Sequence, residues 1–418
     1  MAKNRGGRYD ADRMNPSIRQ KRMSRAIVGS NLLSEPLVTL YSFTLFILYK
    51  DLGASPFQIA LLTMLKPMVA ILSFYWSAGL EGQVQKLKSN VLWAGFLMRA
   101  PFLLCLWVDS VWFVIAAAVN YMFFYRAGAP AWLEIIKRNM GEGKQWKIFS
   151  ISSGLGYAEG VILALGCGTL LDHDPGLWRG LFFGSALIGL LTLVVQSRIV
   201  VEGEDAPAPA RLSLRELVVR PWRDSYQLMR DRVDFSRFQW GFMVSGFGLM
   251  LIQPVLPLFA ADVLGISYLE MAGAISIAKG LGFALSSPLW AKWIDRVNIF
   301  KMGSLVFLSI GLFTVLLSLS VWSVAWLYIA YFWYGVGQGG GHLVWNMSGP
   351  IFAGNQESSR YSGVNVVLVG LRGAVAPPLG GLLVGVLGPV QVLILGGALC
   401  FYSGAKMFAR KPQKILGP

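Results

Sequence analysis

The chain has 418 residues, of which 55% are hydrophobic and 14% are charged, and its formal net charge is +15 at pH 7. Soluble domains are typically about 45–50% apolar and about 25% charged, so the composition excludes a disordered chain, a coiled coil and an ordinary soluble enzyme. The lysines and arginines lie in short clusters between apolar runs, which is typical of cytoplasmic loops and not of a nucleic-acid-binding surface.

Apolar runs of about twenty residues, the length that crosses a bilayer as a helix, recur along the chain. They predict an all-α polytopic membrane protein with twelve transmembrane helices. We number these helices span 1 to span 12 in chain order: 27–49, 57–79, 90–108, 111–133, 149–171, 177–200, 238–261, 268–290, 302–321, 323–345, 362–386 and 388–409.

The distribution of lysine and arginine predicts which ends of the spans face the cytoplasm. With the N-terminus inside, 30 of these residues lie on the cytoplasmic side, two on the opposite side and five within spans. This asymmetry predicts that both termini are cytoplasmic, and we expect an integral protein of a bacterial cytoplasmic (inner) membrane. The basic segment 1–26 lacks the pattern of a signal peptide, and 410–418 is predicted to be a cytoplasmic tail.

The longest polar stretch, 201–237, separates span 6 from span 7. Within it, Ser213 and Glu216 form an S-x-x-E capping box that predicts the start of a basic amphipathic helix. Two interpretations of this helix are open. It is either a lipid-sensitive or partner-binding element on the inner leaflet, or a plain tether between two halves of the protein.

The segments 27–200 and 238–409 align with each other at an offset near 213 residues. Ordered matches on equivalent elements predict a duplicated architecture of six plus six helices. The matched pairs are Leu52–Ser55 with Leu264–Ser267, Lys66 with Lys279, Trp76 with Trp290, Glu81 with Asp295, and Pro36 with Pro254.

A motif between the second and third span of each half links the repeat to a known family. Its pattern is G-x-x-x-D-R-x-G-R-R. The second half keeps Asp295, Arg296 and a basic Lys301, with Ala291 and Asn298 in place of the two glycines. The first half keeps Ser77, Glu81 and Lys86, but Gly82 and Val84 replace the arginine and the turn glycine. With twelve spans and the repeat, the chain resembles the major facilitator superfamily, whose fold is two pseudo-symmetric six-helix bundles. The resemblance implies gating roles for Glu81, Asp295 and Arg296. The alternative is that they are solvated loop charges.

Eight ionisable side chains are predicted at membrane depth, where a central charge costs at least about 2.5–3.5 kcal/mol and therefore indicates function. They are Glu35, Lys66, Arg99, Arg126, Glu159, Lys279, His342 and Arg372. In the family that the chain resembles, substrate binds near the midplane. The candidate substrate-binding residues are Lys66, Arg126, Lys279, Arg372, Gln338, Trp345 and Asn346, and the candidate proton-coupling residues are Glu35, Glu159 and His342.

Structural roles are open for several of these residues. Arg126 and Glu159, on neighbouring spans, are predicted to be coupled, either as a structural ion pair or as a substrate-binding arginine with a proton-exchanging glutamate. Lys66 and Lys279 either face a common cavity or pair with helix ends. Arg99 is expected to pair structurally with backbone or a carboxylate. The histidine and aromatic side chains of span 10 are alternatively packing residues.

Five cations and two carboxylates leave a surplus of positive charge at membrane depth, which favours an anionic ligand. We predict a secondary transporter that works by alternating access and carries a small organic anion, or an amphiphile with an anionic group, in symport with protons. No pattern indicates a catalytic residue, a metal site or a cofactor. We expect a monomer whose partners are its substrate, protons and membrane lipids. The alternatives are a multidrug or lipid exporter and a non-transporting receptor or scaffold.

Overall fold

A computed structural model of the chain describes residues 16–77, 83–140, 144–201, 214–294, 298–354 and 358–409. The secondary structure of these residues is helical, and each of the twelve predicted spans coincides with a helix. In order, the helices are Pro16–Lys50, Pro56–Ser77, Val84–Arg99 with a 3₁₀ turn at Ala100–Leu104, Val111–Asn139, Lys144–His173, Trp178–Ser197, Val233–Ile252 continued by Val255–Leu258 and Phe259–Val263, Tyr268–Ala272 continued by Gly273–Ala278 and Lys279–Ile294, Ile299–Leu319, Ala325–Ala353, Ser358–Leu387 and Pro389–Phe408.

The helices confirm the predicted all-α membrane fold. In the part of the chain that is described, nine helical segments are long and apolar enough to cross a membrane. Several helices exceed the predicted spans at the end that faces the same side as the termini, which we call the inner end. Span 1, at 35 residues, is about 52 Å long at 1.5 Å per residue, against about 30 Å of bilayer hydrocarbon. Hydropathy detects only the part that lies in lipid.

Two helices contain local changes of geometry that hydropathy did not predict. Span 7 is interrupted at Pro254, which has no N–H to donate, and then ends in a π-helical turn at Phe259–Val263. Span 8 contains a second π-helical turn at Gly273–Ala278, directly before Lys279. Such turns widen the helix locally and are frequent at functional sites.

The chain forms two compact units. Unit 1 consists of Met1–Thr44, Leu72–Cys167 and Gly176–Ala210, and unit 2 of Leu45–Ile71, Gly168–Pro175 and Arg211–Pro418. The outer ends of spans 1, 2 and 5 therefore belong to the same unit as spans 7 to 12.

The described core of unit 1 lies at the inner ends of spans 1, 3 and 4. In this cluster, side chains from the start of spans 1 and 3 pack against the end of span 4; among its members are Met23, Ile27, Leu87, Val91, Ala131, Ile135 and Ile136. Burial of these apolar groups fixes the three helices relative to one another within the unit.

Unit 2 has a larger aromatic core, also at its inner end. Phe235, Phe238, Phe352 and Tyr361 are almost completely buried there and pack edge to face or tilted. Between the two halves of the sequence, Leu214–Asp231 forms a helix that we call the linker helix. It packs on span 11, and its Leu228 joins the aromatic core.

Candidate functional site

Arg372 of span 11 is the most deeply buried cation predicted to bind substrate, with only 9% of its surface exposed. Its Nη1 donates a 2.8 Å hydrogen bond to the carbonyl oxygen of Phe242 in span 7, and the guanidinium carbon lies 4.7 Å from the centre of the Phe242 ring. Its Nε has no hydrogen-bond partner within the described chain. A peptide dipole and an aromatic face thus stabilise the charge.

Glycine at position 246 gives the arginine its place. A Cβ at Gly246 would lie 1.9 Å from Nη1 of Arg372, closer than any real side chain tolerates. Span 7 therefore offers a notch that is occupied by a guanidinium. The glycine that accommodates Arg372 thus lies on another helix, where no sequence pattern indicated it.

Lys66 and Lys279, the two lysines at duplicated positions, both belong to unit 2 and are half-buried. Directly after Lys66, the ring of Pro67 contacts Gly373, where a Cβ would lie 2.4 Å from Pro67 Cγ. Lys66 on span 2 therefore lies at about the same level as Arg372 on span 11. A cavity shared by the two lysines stays a prediction.

Spans 8 and 10 touch backbone to backbone beside Lys279. A Cβ on Gly335 would lie 1.9 Å from the carbonyl oxygen of Lys279, and a Cβ on Gly282 would lie 1.9 Å from that of Phe332. Small residues at helix interfaces in membranes permit this close approach. The glycine-rich stretch of span 10 therefore acts as a packing surface for the helix that carries the lysine.

The other candidates on span 10 make mostly local contacts. Gln338 Nε2 donates to the hydroxyl of Tyr334 at 2.9 Å, and Asn346 Nδ2 donates to the carbonyl of His342 at 2.8 Å. The Trp345 ring lies 5.7 Å from that of Phe242, the same ring that Arg372 covers. Trp345 and Arg372 thus contact the same aromatic ring of span 7.

His342 is exposed, and its ring meets Phe283 edge to face at 5.6 Å. This is the contact expected of a packing residue. Its proton-coupling role stays a prediction.

Glu35, the candidate proton site of span 1, lies in a notch on span 5 within unit 1. A Cβ on Gly160 would lie 2.5 Å from Glu35 Oε1, and one on Gly156 would lie 3.4 Å from Oε2. Thr39 donates a long hydrogen bond of 3.5 Å to Oε1. Next to the notch, Asn31 Nδ2 donates to the carbonyl of Ser152 at 2.8 Å and holds the two helices together.

The expected ion pair of Arg126 and Glu159 is not formed among the described residues. Arg126 lies on an exposed face of span 4, whereas Glu159 directly precedes Gly160, which faces span 1. Gly160 lies against the carboxylate of Glu35, and the buried Oε2 of Glu159 has no hydrogen-bond partner in the described part. The neighbour of Glu159 is therefore a second carboxylate, because span 5 is rotated toward span 1.

Arg99 is bound within unit 1 and is only 3% exposed. It donates to the carbonyl of Gly95 at 2.8 Å, to the hydroxyl of Ser34 at 2.8 Å and to that of Thr192 at 3.3 Å. The arginine therefore has the backbone partner that was expected, and the alternative partner, a carboxylate, is not among these contacts. The hydroxyl acceptors on spans 1 and 6 were not predicted, since no sequence pattern places them near the arginine.

The three residues predicted to gate the inner side, Glu81, Asp295 and Arg296, lie outside the described residues. Their gating role stays a prediction.

At the outer side, unit 2 contains a contact that the sequence did not predict, which we call the outer latch. The two duplicated turns meet there, each with a glycine at positive φ, Gly53 at 63° and Gly265 at 61°. Lys50 Nζ donates to the carbonyl of Ile266 at 3.3 Å and lies 4.7 Å from the centre of the Tyr268 ring. Beside this contact is an open cavity of about 530 Å³.

Carboxylates complete the outer latch. Tyr49 donates to Asp262, and Tyr268 donates to Asp51. Asp172, at the end of span 5, accepts from the backbone N–H groups of Tyr268 at 2.7 Å and Leu269 at 2.8 Å, the first residues of span 8. A carboxylate at a helix N-terminus satisfies unpaired donors and interacts favourably with the helix dipole.

Asp51 lies in the loop outside the spans, where burial and the nearby charge of Asp172 raise its pKa above the ordinary aspartate value. The hydrogen bond from Tyr268 and the charge of Lys50 oppose this shift.

Comparison with known proteins identifies the family. The family model described as Major Facilitator Superfamily matches residues 29–377. The chain belongs to the major facilitator superfamily. No curated protein sequence matches it.

Three solved structures illustrate the shared fold of this superfamily protein. The nucleoside transporter NupG is 12% identical with a TM-score of 0.62, and the alignment covers 95% of this chain and 100% of that chain. A POT family transporter in complex with 5-aminolevulinic acid is 15% identical with a TM-score of 0.70, covering 94% and 96%. The peptide transporter POT in complex with sulfate is 14% identical with a TM-score of 0.69, covering 93% and 94%. As a member of this superfamily, the chain is an integral membrane transporter.

Proposed function

We propose that this superfamily transporter is a secondary active transporter that works by alternating access and moves a small organic anion, or an amphiphile with an anionic group, in symport with protons. The observation that carries the proposal is Arg372, a nearly buried cation held by a carbonyl oxygen and an aromatic ring. Such a charge gains from an anion that reaches its free donor.

The distribution of charge in unit 2 supports an anionic substrate. Lys66, Lys279 and Arg372 lie at membrane depth in this unit, whereas its described carboxylates lie at the ends of the spans or in the loops. Trp345 beside Phe242 offers an aromatic surface for the organic part of the substrate.

The carboxylates of unit 1 support coupling to protons. Glu35 lies in its glycine notch with a single long hydrogen bond from Thr39, and Glu159 is its neighbour. A carboxylate that is partly removed from water beside a second carboxylate binds a proton more readily than one in water. We propose that the coupled proton binds to this pair of carboxylates, while the cations of unit 2 balance the negative charge of the substrate.

The decisive experiment is uptake by proteoliposomes that hold the purified protein under an imposed pH gradient. We expect organic anions to accumulate against their concentration gradient, and this accumulation should be lost when the pH gradient is dissipated. Neutral and cationic analogues should not accumulate. Accumulation of lipophilic cations would support a multidrug exporter, and failure to move any solute would support a receptor or scaffold. Either result contradicts the proposal.

Two variants with matched controls separate substrate binding from coupling. Arg372→Gln should abolish anion uptake, while Arg360→Gln, an exposed arginine near the start of the same helix, should retain it. Glu35→Gln should abolish accumulation driven by the pH gradient but retain exchange of substrate, while Glu134→Gln, which removes a partly exposed glutamate paired with Arg138, should retain both. Full accumulation by the Glu35→Gln variant would contradict the assignment and show that the coupled proton binds to another residue.

We also assign both termini to the cytoplasm, the protein to a bacterial inner membrane and the functional state to a monomer. The excess of lysine and arginine on one side of the spans supports the orientation. Reporter domains fused to each terminus test it, since fluorescence of a cytoplasmic reporter is expected at both ends.

A further inference from the structure

The linker helix has two different faces. Toward the protein, Leu228 is 4% exposed and Ser225 is 8% exposed, and this face packs on span 11 and the aromatic core of unit 2. On the opposite side, Val219, Trp222 and Tyr226 are 49%, 47% and 72% exposed. Positions 219, 222 and 226 follow helical spacing. The helix therefore presents a second apolar face to its surroundings.

Arginines accompany the exposed aromatics. Arg223 and Arg230 lie four residues from Val219 and Tyr226 and are exposed, so they share this face by the same periodicity. Arg223 approaches Asp224 only at 3.5 Å, with 72% of its side chain exposed. We call the surface formed by Val219, Trp222, Arg223, Tyr226 and Arg230 the basic aromatic face.

The junction between the linker helix and span 7 fixes the orientation of this face. Arg232, between the linker helix and span 7, donates to both carboxylate oxygens of Asp234 at 3.1 and 3.0 Å. It also donates to the hydroxyl of Tyr361 at 2.7 Å and to the carbonyl of Phe352 at 3.2 Å. Two of these four hydrogen bonds hold the end of the linker helix against spans 10 and 11, and the other two tie it to the start of span 7.

The position along the chain places the face near the level of lipid headgroups. Tyr226 precedes Val233, the first residue of span 7, by seven residues, or about 10 Å along a helix. Because Leu228 packs into the same core as Phe235, the helix lies along the inner ends of the spans. Tryptophan and tyrosine are enriched at this level of a bilayer, and basic residues there attract anionic lipids.

We propose that the basic aromatic face binds the anionic lipid headgroups of the inner leaflet, with Trp222 and Tyr226 inserted between headgroups and Arg223 and Arg230 contacting phosphates. Charge complementarity selects this occupant: the face combines two arginines with three apolar side chains, the composition of helices that lie in the membrane interface. An acidic protein would satisfy the arginines but would gain less from the exposed aromatics.

Lipid binding by the full-length protein in nanodiscs tests the proposal. The probe is phosphatidylglycerol in a phosphatidylcholine background, with bound lipid counted by native mass spectrometry. The double variant Arg223→Gln/Arg230→Gln should bind phosphatidylglycerol more weakly, by roughly fivefold for each arginine removed. The difference should shrink as salt is raised. Trp222→Ala/Tyr226→Ala should weaken binding of both lipids.

The matched control removes the same charge elsewhere on the inner side, with Arg198→Gln/Lys292→Gln, both at exposed positions. It should bind phosphatidylglycerol like the parent protein, and thermal unfolding should show that all variants are folded. Equal losses in the two charge variants would overturn the proposal. Unchanged lipid binding in Arg223→Gln/Arg230→Gln would also overturn it and leave an acidic protein as the occupant. The measurement needs no substrate, so its result is independent of the transport assay.

Discussion

Unit 1 and unit 2 use the same pair of repeat-related spans to bury opposite charges. In unit 1, the carboxylate of Glu35 on span 1 rests against the glycines of span 5. In unit 2, the guanidinium of Arg372 on span 11 rests against Gly246 of span 7. Spans 1 and 7 are equivalent in the repeat, as are spans 5 and 11.

Glu159 and Arg372 stand 213 residues apart, which is the offset of the repeat. A position duplicated with its helix therefore carries an acid in one unit and a base in the other. Both units retain a close helix contact that depends on glycine, while the charge beside it has diverged. This difference in charge is the basis for the division of roles that we propose, with protons bound in unit 1 and anionic groups in unit 2.

The largest expected difference between the two notches concerns stability. Arg372→Met removes a cation that donates to the Phe242 carbonyl and covers its ring, and a hydrogen bond from a charged group is worth about 1.5–3 kcal/mol. Glu35→Gln removes a carboxylate that accepts one long hydrogen bond, so it should cost less than about 1 kcal/mol. Thermal unfolding in detergent measures both. A larger loss for the glutamate variant would show that the acidic notch is the more tightly bound.

Adding a methyl group to each notch should change stability by a comparable or smaller amount. Gly246→Ala places a Cβ 1.9 Å from a nitrogen that is hydrogen-bonded to Phe242, and overpacking of this kind costs about 1–3 kcal/mol. Gly160→Ala meets the end of Glu35, which is held only loosely and can rotate away. We expect anion binding to weaken in the first variant and to change little in the second. Gly154→Ala, with nothing within 4 Å, is the control.

The outer latch offers a third comparison, between forms of span 8 with and without the Asp172 carboxylate at its N-terminus. Asp172→Asn removes the charge that accepts from two backbone N–H groups, and loss of such a cap costs about 0.5–2 kcal/mol. Labelling of Ile266→Cys, a buried position in the latch, by an impermeant thiol reagent should accelerate. The variant Asp174→Asn, two residues further and exposed, should leave labelling unchanged. If both variants label alike, the cap does not hold the latch.

The smallest predicted effect is the response of the outer latch to pH. The pKa of Asp51 is raised in the folded protein, so its stabilising contribution is fully present below the ordinary pKa of aspartate, about 4, and is lost as pH rises through the raised value. Labelling of Ile266→Cys should therefore slow when pH is lowered across this window. In the Asp51→Asn variant, the labelling rate should vary with pH only as much as the reaction of a free thiol with the same reagent varies. A parent protein without this slowing contradicts the prediction.

Much of the fold was predictable from sequence because hydropathy and charge act along the chain. The twelve spans follow from runs of apolar residues, and the cations of unit 2 follow from their presence within such runs. Rotation of a helix about its axis is not encoded in this way. Arg126 and Glu159 are on neighbouring spans, yet the faces that they occupy depend on packing of glycines such as Gly160, and the predicted pair is not formed.

Contacts that join distant segments were also beyond sequence reasoning. Asp172 reads as an ordinary loop residue until span 8 is folded against it, and the hydroxyls of Ser34 and Thr192 become partners of Arg99 only through packing. The duplicated Leu-Gly-x-Ser turns were the available signal for the outer latch. They indicated the repeat, but not that its two copies meet.

The paired glycines of spans 8 and 10 have a mechanical consequence. Gly282 lies against one carbonyl and Gly335 against another. The two backbones are therefore in direct contact, without side chains between them, and the helices cannot slide along each other. The two helices thus form a single rigid element, which carries Lys279, His342 and Trp345. During the transport cycle they must travel together, and a pair of spectroscopic labels on the two helices should keep a constant separation while the rest of the molecule rearranges.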